Sequence, residues 1–287
     1  MNEILTAKEQ AFYAGIFSVI SLIMLMLGWR FGFFAKLQEK KEPSPIRLRD
    51  VLGAFIIYFF FSIFFTMLLV AYYNWKGDLS GLLQTGPEGW LRTGAMLAGA
   101  AAVFIYAGKL GKEKWEAIWR RQPHASTNWH SFIIGAVSCA IAYPLVIALS
   151  SLQAAVMAYV TSEPVILEQN PVQYLRSLRE YPFLFGATVL TFGFLTPAAE
   201  ELLFRGFLQS RFREYLTAWP AIMLTSCFFA ALHLSYSQGW SNIIIFSSIL
   251  ILALFLGYLY ERQRNLWASI SLHVCFNLIN ISLILLS

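Results

Sequence analysis

The sequence predicts an all-α fold, a polytopic membrane bundle of about eight transmembrane helices. Three observations carry this expectation. Hydrophobic residues make up 58% of the 287 positions and charged residues only 13%, about half the charged share of a soluble domain. Apolar runs close to the ~20 residues that cross a hydrocarbon core as a helix recur along the whole chain. Lysine and arginine alternate between rich and poor loops in step with those runs, so the formal charge of +5 reports topology and not a nucleic-acid partner.

The runs lie near 11–30, 51–73, 91–109, 131–160, 183–210, 218–235, 242–260 and 266–286. The first is too long for a signal-peptide core and lacks a basic start and a small-residue cleavage site, so it is expected to remain in the mature protein. The fourth contains Pro144, which predicts a kink or tilt. The fifth contains Pro197, three residues before a pair of glutamates. Helices one to four (1–160) and a site-bearing part (161–287) are expected to form one bundle. Cys139, Cys227 and Cys275 lie in apolar stretches without a C-x-x-C pattern and read as small buried hydrophobes.

The loops after the odd-numbered runs hold fifteen basic residues: Arg30, Lys36, Lys40, Lys41, Arg47 and Arg49, then Lys109, Lys112, Lys114, Arg120 and Arg121, then Arg211, Arg213, Arg262 and Arg264. The opposite side holds five: Lys8, Lys76, Arg92, Arg176 and Arg179. This asymmetry predicts that both termini face away from the cytoplasm; in a prokaryote the membrane would be the plasma (inner) membrane. Between Thr161 and Tyr181, the apolar positions Val172, Leu175 and Leu178 suit a short helix in the membrane interface. An ordinary connector is the alternative, and a lid or lateral entrance is the functional reading.

Few polar groups fall inside the runs. Glu200, Glu201 and Arg205 share the fifth, His233 the sixth, and His273 and Asn277 the eighth, whereas His124 and His130 sit in a basic loop. Intramembrane ionisable groups are functional candidates whose partners need naming. Glu201 and Arg205 are spaced i, i+4 in the favourable order for an ion pair. Glu200 points about 100° away around the helix and faces a different neighbour. His273 and Asn277 share one helical face, as do Phe229 and His233. At ~1.5 Å rise per residue, Glu200 lies roughly 16 Å in from Arg211, His233 roughly 20 Å in from Pro220, and His273 and Asn277 roughly 10 and 16 Å in from Leu266. Similar depths on three helices predict one shared polar cavity, because scatter through lipid would strand each group.

Such a cavity supports amide hydrolysis. A carboxylate shielded from bulk water suits general-base work. Glu200 and His233 would activate water, His273 and Asn277 would donate hydrogen bonds to the developing oxyanion, and Glu201 with Arg205 would be structural. Other hydrolytic designs lack their signatures: there is no H-E-x-x-H and no G-x-S-x-G. Ser235 and Ser237 follow His233 at a run end without an activating partner in sequence. One glutamate and two histidines could hold zinc, but no His-x3-His pair occurs, so no cofactor is expected. Taken singly, each histidine could be a packing residue, Asn277 interhelical glue, and Glu201–Arg205 a buried ion pair.

The motifs themselves carry a resemblance. "EELLFR" (Glu200 to Arg205) resembles the E-E-x-x-x-R motif of the CPBP family, which includes CAAX prenyl proteases and bacteriocin-processing enzymes. "FAALH" (Phe229 to His233) is similar to its F-x-x-x-H motif, and "HVCFN" (His273 to Asn277) to its H-x-x-x-N motif. The resemblance covers about Tyr181 to Ser287. It implies an eight-helix intramembrane glutamate endopeptidase, independent of metal. Glu200 would be its catalytic glutamate acting with His233, and His273 with Asn277 its oxyanion site. The implied partners are the lipid bilayer and a membrane-associated protein or peptide, prenylated or otherwise tethered. A non-catalytic immunity or binding protein of the same fold is the alternative; a proton-coupled transporter is a third reading, to which the His/Asn pair is not suited.

Overall fold

The computed structural model describes residues 6–77, 89–119, 127–161 and 170–286. Most of these are helical, and no strand occurs among them. In chain order the helices are α1 (Ala7–Arg30), α2 (Leu48–Lys76), α3 (Gly89–Lys109), α4 (Lys112–Trp119), α5 (Asn128–Thr161), α6 (Asn170–Ser177), α7 (Pro182–Tyr215), α8 (Ala218–Ala231), α9 (Ser241–Gln263) and α10 (Leu266–Leu286). Among the described residues, seven helices (α1, α2, α3, α5, α7, α9 and α10) are long and apolar enough to cross a membrane. The chain is an integral multi-pass membrane protein. α5 continues through Pro144 without interruption. His130, expected in a loop, lies in the first turn of α5; His124 lies outside the described residues.

The sixth predicted span is shorter than expected. α8 has 14 residues, about 21 Å of helix, against a hydrocarbon core of ~30 Å. The chain turns because its backbone groups find other partners. The Asn242 amide both accepts from the Ser235 N–H (3.1 Å) and donates to the Ser235 carbonyl (2.8 Å), closing a loop over 235–242. His233 therefore lies past the helix end, in a turn, and not on the helical face expected from its spacing to Phe229.

Two compact units draw on both halves of the chain. The first comprises 1–42, 126–168 and 215–272. In it α1 packs along α5, and α9 packs against both α5 and α8. α5 approaches the start of α10 so closely that a Cβ at Gly135 would stand 2.1 Å from the Ala268 carbonyl oxygen. The Tyr258 hydroxyl on α9 donates to the Phe33 carbonyl at 2.6 Å.

The second unit comprises 43–125, 169–214 and 273–287. Here α2 packs on α3, and α7 packs against α2, α3 and α4. A short helix, as expected near Val172, Leu175 and Leu178, is present as α6, which ends one residue before Leu178. The Tyr174 hydroxyl on α6 donates to the Gly89 carbonyl (2.8 Å) and meets Thr93 Oγ1 (3.1 Å), which in turn meets Thr188 Oγ1 (2.9 Å). Leu175 and Leu178 are buried. Buried hydrogen bonds thus tie α6 to α3, and α3 in turn to α7; residues 162–169 of this connection lie outside the described residues.

Candidate active site

The site begins with an irregular helix. α7 contains two π-helical stretches, Thr191–Leu195 and Leu202–Gln209, on either side of the α-helical segment Thr196–Glu201. A π turn inserts an extra residue into a helix and is common at functional sites. Both glutamates lie at the end of the regular segment, immediately before the second π stretch.

The two neighbours have different surroundings. The Glu201 side chain is wholly inaccessible, as is that of Arg205, and Arg205 Nη1 donates to Glu201 Oε1 at 2.9 Å. His273 of α10 faces the same atom, with Nδ1 3.0 Å from Glu201 Oε1. Its other nitrogen, Nε2, stands 3.8 Å from Glu200 Oε2. That separation exceeds a direct hydrogen bond but is close enough for charge to act. His273 therefore lies between two carboxylates, bonded to one and facing the other. Glu200 keeps 18% of its side chain accessible, so of the two carboxylates it is the one not sealed inside the protein.

Chemical roles follow from these distances. Against a carboxylate oxygen, Nδ1 must carry a proton and donate it. A bond of this kind fixes the tautomer and ring orientation of an imidazole and leaves Nε2 directed toward Glu200. Among the described residues Glu201 Oε2 is buried without a hydrogen-bond partner, so the bonding of this carboxylate is concentrated on Oε1. One turn after His273, the Asn277 Nδ2 donates to the Phe192 carbonyl in the first π stretch at 2.9 Å. That bond occupies one of its two amide protons.

Of the residues singled out in the sequence, the structure groups Glu200, Glu201, Arg205, His273 and Asn277 in the second unit, on α7 and α10. Phe229 and His233 belong to the first unit. Phe229 is buried on α8, its ring centroid 4.7 Å from that of His233. The His233 Nδ1–H donates to the Phe229 carbonyl at 2.7 Å, while the rest of the side chain is exposed. Two contacts carry no sequence signal. Spacing points from Glu201 only to Arg205, although a carboxylate accepts several hydrogen bonds, here also from His273. The Phe192 carbonyl carries no side-chain signal at all. Among the described residues no three His, Cys, Asp or Glu side chains are grouped to hold a metal ion.

One comparison with known proteins falls on the same stretch. The family model described as Type II CAAX prenyl endopeptidase Rce1-like matches residues 182–279, a segment that contains all three motifs. A Bacillus subtilis (strain 168) protein described as uncharacterized protein YpbD is 35% identical over 75 residues, which is 26% of this chain and 34% of that protein. The alignment thus spans about a third of that relative. No solved structure matches.

Proposed function

We propose that this protein of the CAAX-type intramembrane protease fold is an endopeptidase. Its substrate would be a membrane-associated protein or peptide, cleaved by water activated at Glu200. The observation that carries the reading is His273 held between Glu201 (3.0 Å) and Glu200 (3.8 Å), inside the segment that matches a protease family.

In the proposed reaction Glu200 takes a proton from water, and the resulting hydroxide attacks the scissile carbonyl carbon. The carbonyl π electrons move to oxygen, giving a tetrahedral oxyanion. The second amide proton of Asn277 and the Nε2 side of His273 stabilise that charge. Collapse of the intermediate breaks the C–N bond, and Glu200 returns its proton to the leaving amine. His233 is assigned to orienting the water on the strength of its F-x-x-x-H motif. Both termini are assigned to the non-cytoplasmic side. This assignment requires α8 and residues 232–240 to cross together, since α8 alone is too short.

The test is Glu200→Gln in the purified full-length protein, with a quenched-fluorescent peptide bearing a prenylated cysteine in a C-a-a-X end as probe. Cleavage should fall by about 10²–10⁴-fold, the contribution typical of a general base, while peptide binding persists. Full activity in Glu200→Gln would refute the assignment of the base.

A further inference from the structure

The first π stretch leaves one carbonyl of α7 without a donor from its own helix. Phe192 has two candidates further along the chain. Thr196, four residues on, gives its N–H to Thr191. Residue 197, five residues on, is a proline and has no N–H to give. Pro197 is buried, and an unsatisfied carbonyl in an apolar setting is costly. The Phe192 carbonyl is satisfied instead from α10, by Asn277 Nδ2 at 2.9 Å.

We infer that Pro197 is a positioning residue for Asn277. By ending the π stretch without a backbone donor, it creates a fixed acceptor that only a side-chain N–H can fill. That acceptor dictates which end of the Asn277 amide faces α7, since a carbonyl cannot accept from Oδ1. It also fixes the amide plane, leaving the second N–H and Oδ1 in one defined orientation. Close packing of the two helices at this level keeps the reach short: a Cβ on Gly193 would stand 2.9 Å from Leu278 Cδ2. The consequence for catalysis rests on the proposed proteolytic reading; the contact itself does not.

The experiment is a double-mutant cycle on the full-length protein in detergent, read by unfolding equilibria and by turnover of the prenylated fluorogenic peptide. Asn277→Ala in the wild-type background strands the Phe192 carbonyl and should shift the unfolding equilibrium about tenfold, the scale of one lost buried hydrogen bond. In Pro197→Ala the new backbone N–H can serve that carbonyl, so Asn277→Ala should shift it less than about threefold there. Pro197→Ala alone should lower kcat about tenfold with KM unchanged, as expected when an interaction made in the transition state is loosened. If Pro197→Ala does not fold, Pro197→Ser, which restores the same backbone N–H, takes its place in the cycle. Asn277→Leu, close to asparagine in size and without any donor, should reproduce the stability loss of Asn277→Ala. Equal effects of Asn277→Ala in both backgrounds, an Asn277→Leu as stable as wild type, or an unchanged kcat in Pro197→Ala would each overturn the inference. Absence of cleavage by the wild type would instead count against the proteolytic reading, with the stability cycle still deciding the contact.

Discussion

α2 and α7 are two long apolar helices of the same unit, and they pack together, with the rings of Phe55 and Phe204 edge to face at 5.2 Å. Their interiors differ in kind. α2 is a regular α-helix over 29 residues, and Ile56, Phe60, Ile63, Phe64 and Met67 along its outer face are exposed, as suits a surface wetted by lipid. α7 departs twice from α-helical geometry and buries Leu202 through Phe207, Arg205 among them. Hydrophobic length alone does not separate the two. What separates them is where the polar atoms go: α7 directs carboxylates and one free carbonyl to His273 and Asn277 on α10, whereas the middle of α2 offers chiefly hydrocarbon.

The contrast is sharpest at the buried ion pair. Arg205→Met would leave Glu201 charged, inaccessible and bonded to His273 alone. Breaking one side of a buried pair is expected to destabilise by about 3–5 kcal/mol, read by denaturant unfolding of the solubilised protein. Glu201→Leu combined with Arg205→Met strands no charge and should recover part of the loss. The double variant should nevertheless remain impaired in turnover, because His273 has lost the acceptor that orients it. If Arg205→Met were as stable as wild type, the reading of α7 as the helix that isolates charge from lipid would fail.

Some of this was legible from residue types. Ionisable groups inside apolar runs are rare enough that Glu200, Glu201, Arg205 and His273 stood out, and the i, i+4 spacing anticipated the Glu201–Arg205 bond. The π stretches were not legible, since Leu202 to Gln209 reads as ordinary amphipathic helix and only Pro197 hints at a missing donor. The end of α8 was misplaced for a related reason. Leu232 and Leu234 extend the apolar pattern, and the turn is fixed by Asn242, seven residues beyond Ser235. Hydropathy counts side chains, whereas both features are decided by backbone hydrogen bonds. The division into units was also hidden, because segments distant in sequence, such as 43–125 and 273–287, share one unit.

A smaller effect is expected where α4 seats against α7. A Cβ added at Gly206 would stand 2.7 Å from Ile118 Cγ2, a methyl on a stiff β-branched side chain that is itself fully buried. Gly206→Ala should therefore destabilise by about 1–3 kcal/mol through overpacking. Ile118→Ala removes the opposing methyl, so the double variant should lose less than the sum of the singles, a coupling readable in a double-mutant cycle. Strict additivity would mean that the helices separate freely here, and that the second π stretch is not held by α4.

The smallest effect belongs to the outer face of α2. Ile56 is exposed, and its side chain is expected to contact only lipid. Ile56→Leu conserves volume and apolarity, so stability should stay within about 0.5 kcal/mol of wild type and peptide turnover should be unaltered. The result is informative because the two helices predict opposite tolerances for changes of similar size: one methyl at Gly206 is costly, one moved methyl at Ile56 is not. A loss well above 1 kcal/mol at Ile56 would show that this face is covered by another protein surface, and α2 would then resemble α7 in having a specific partner.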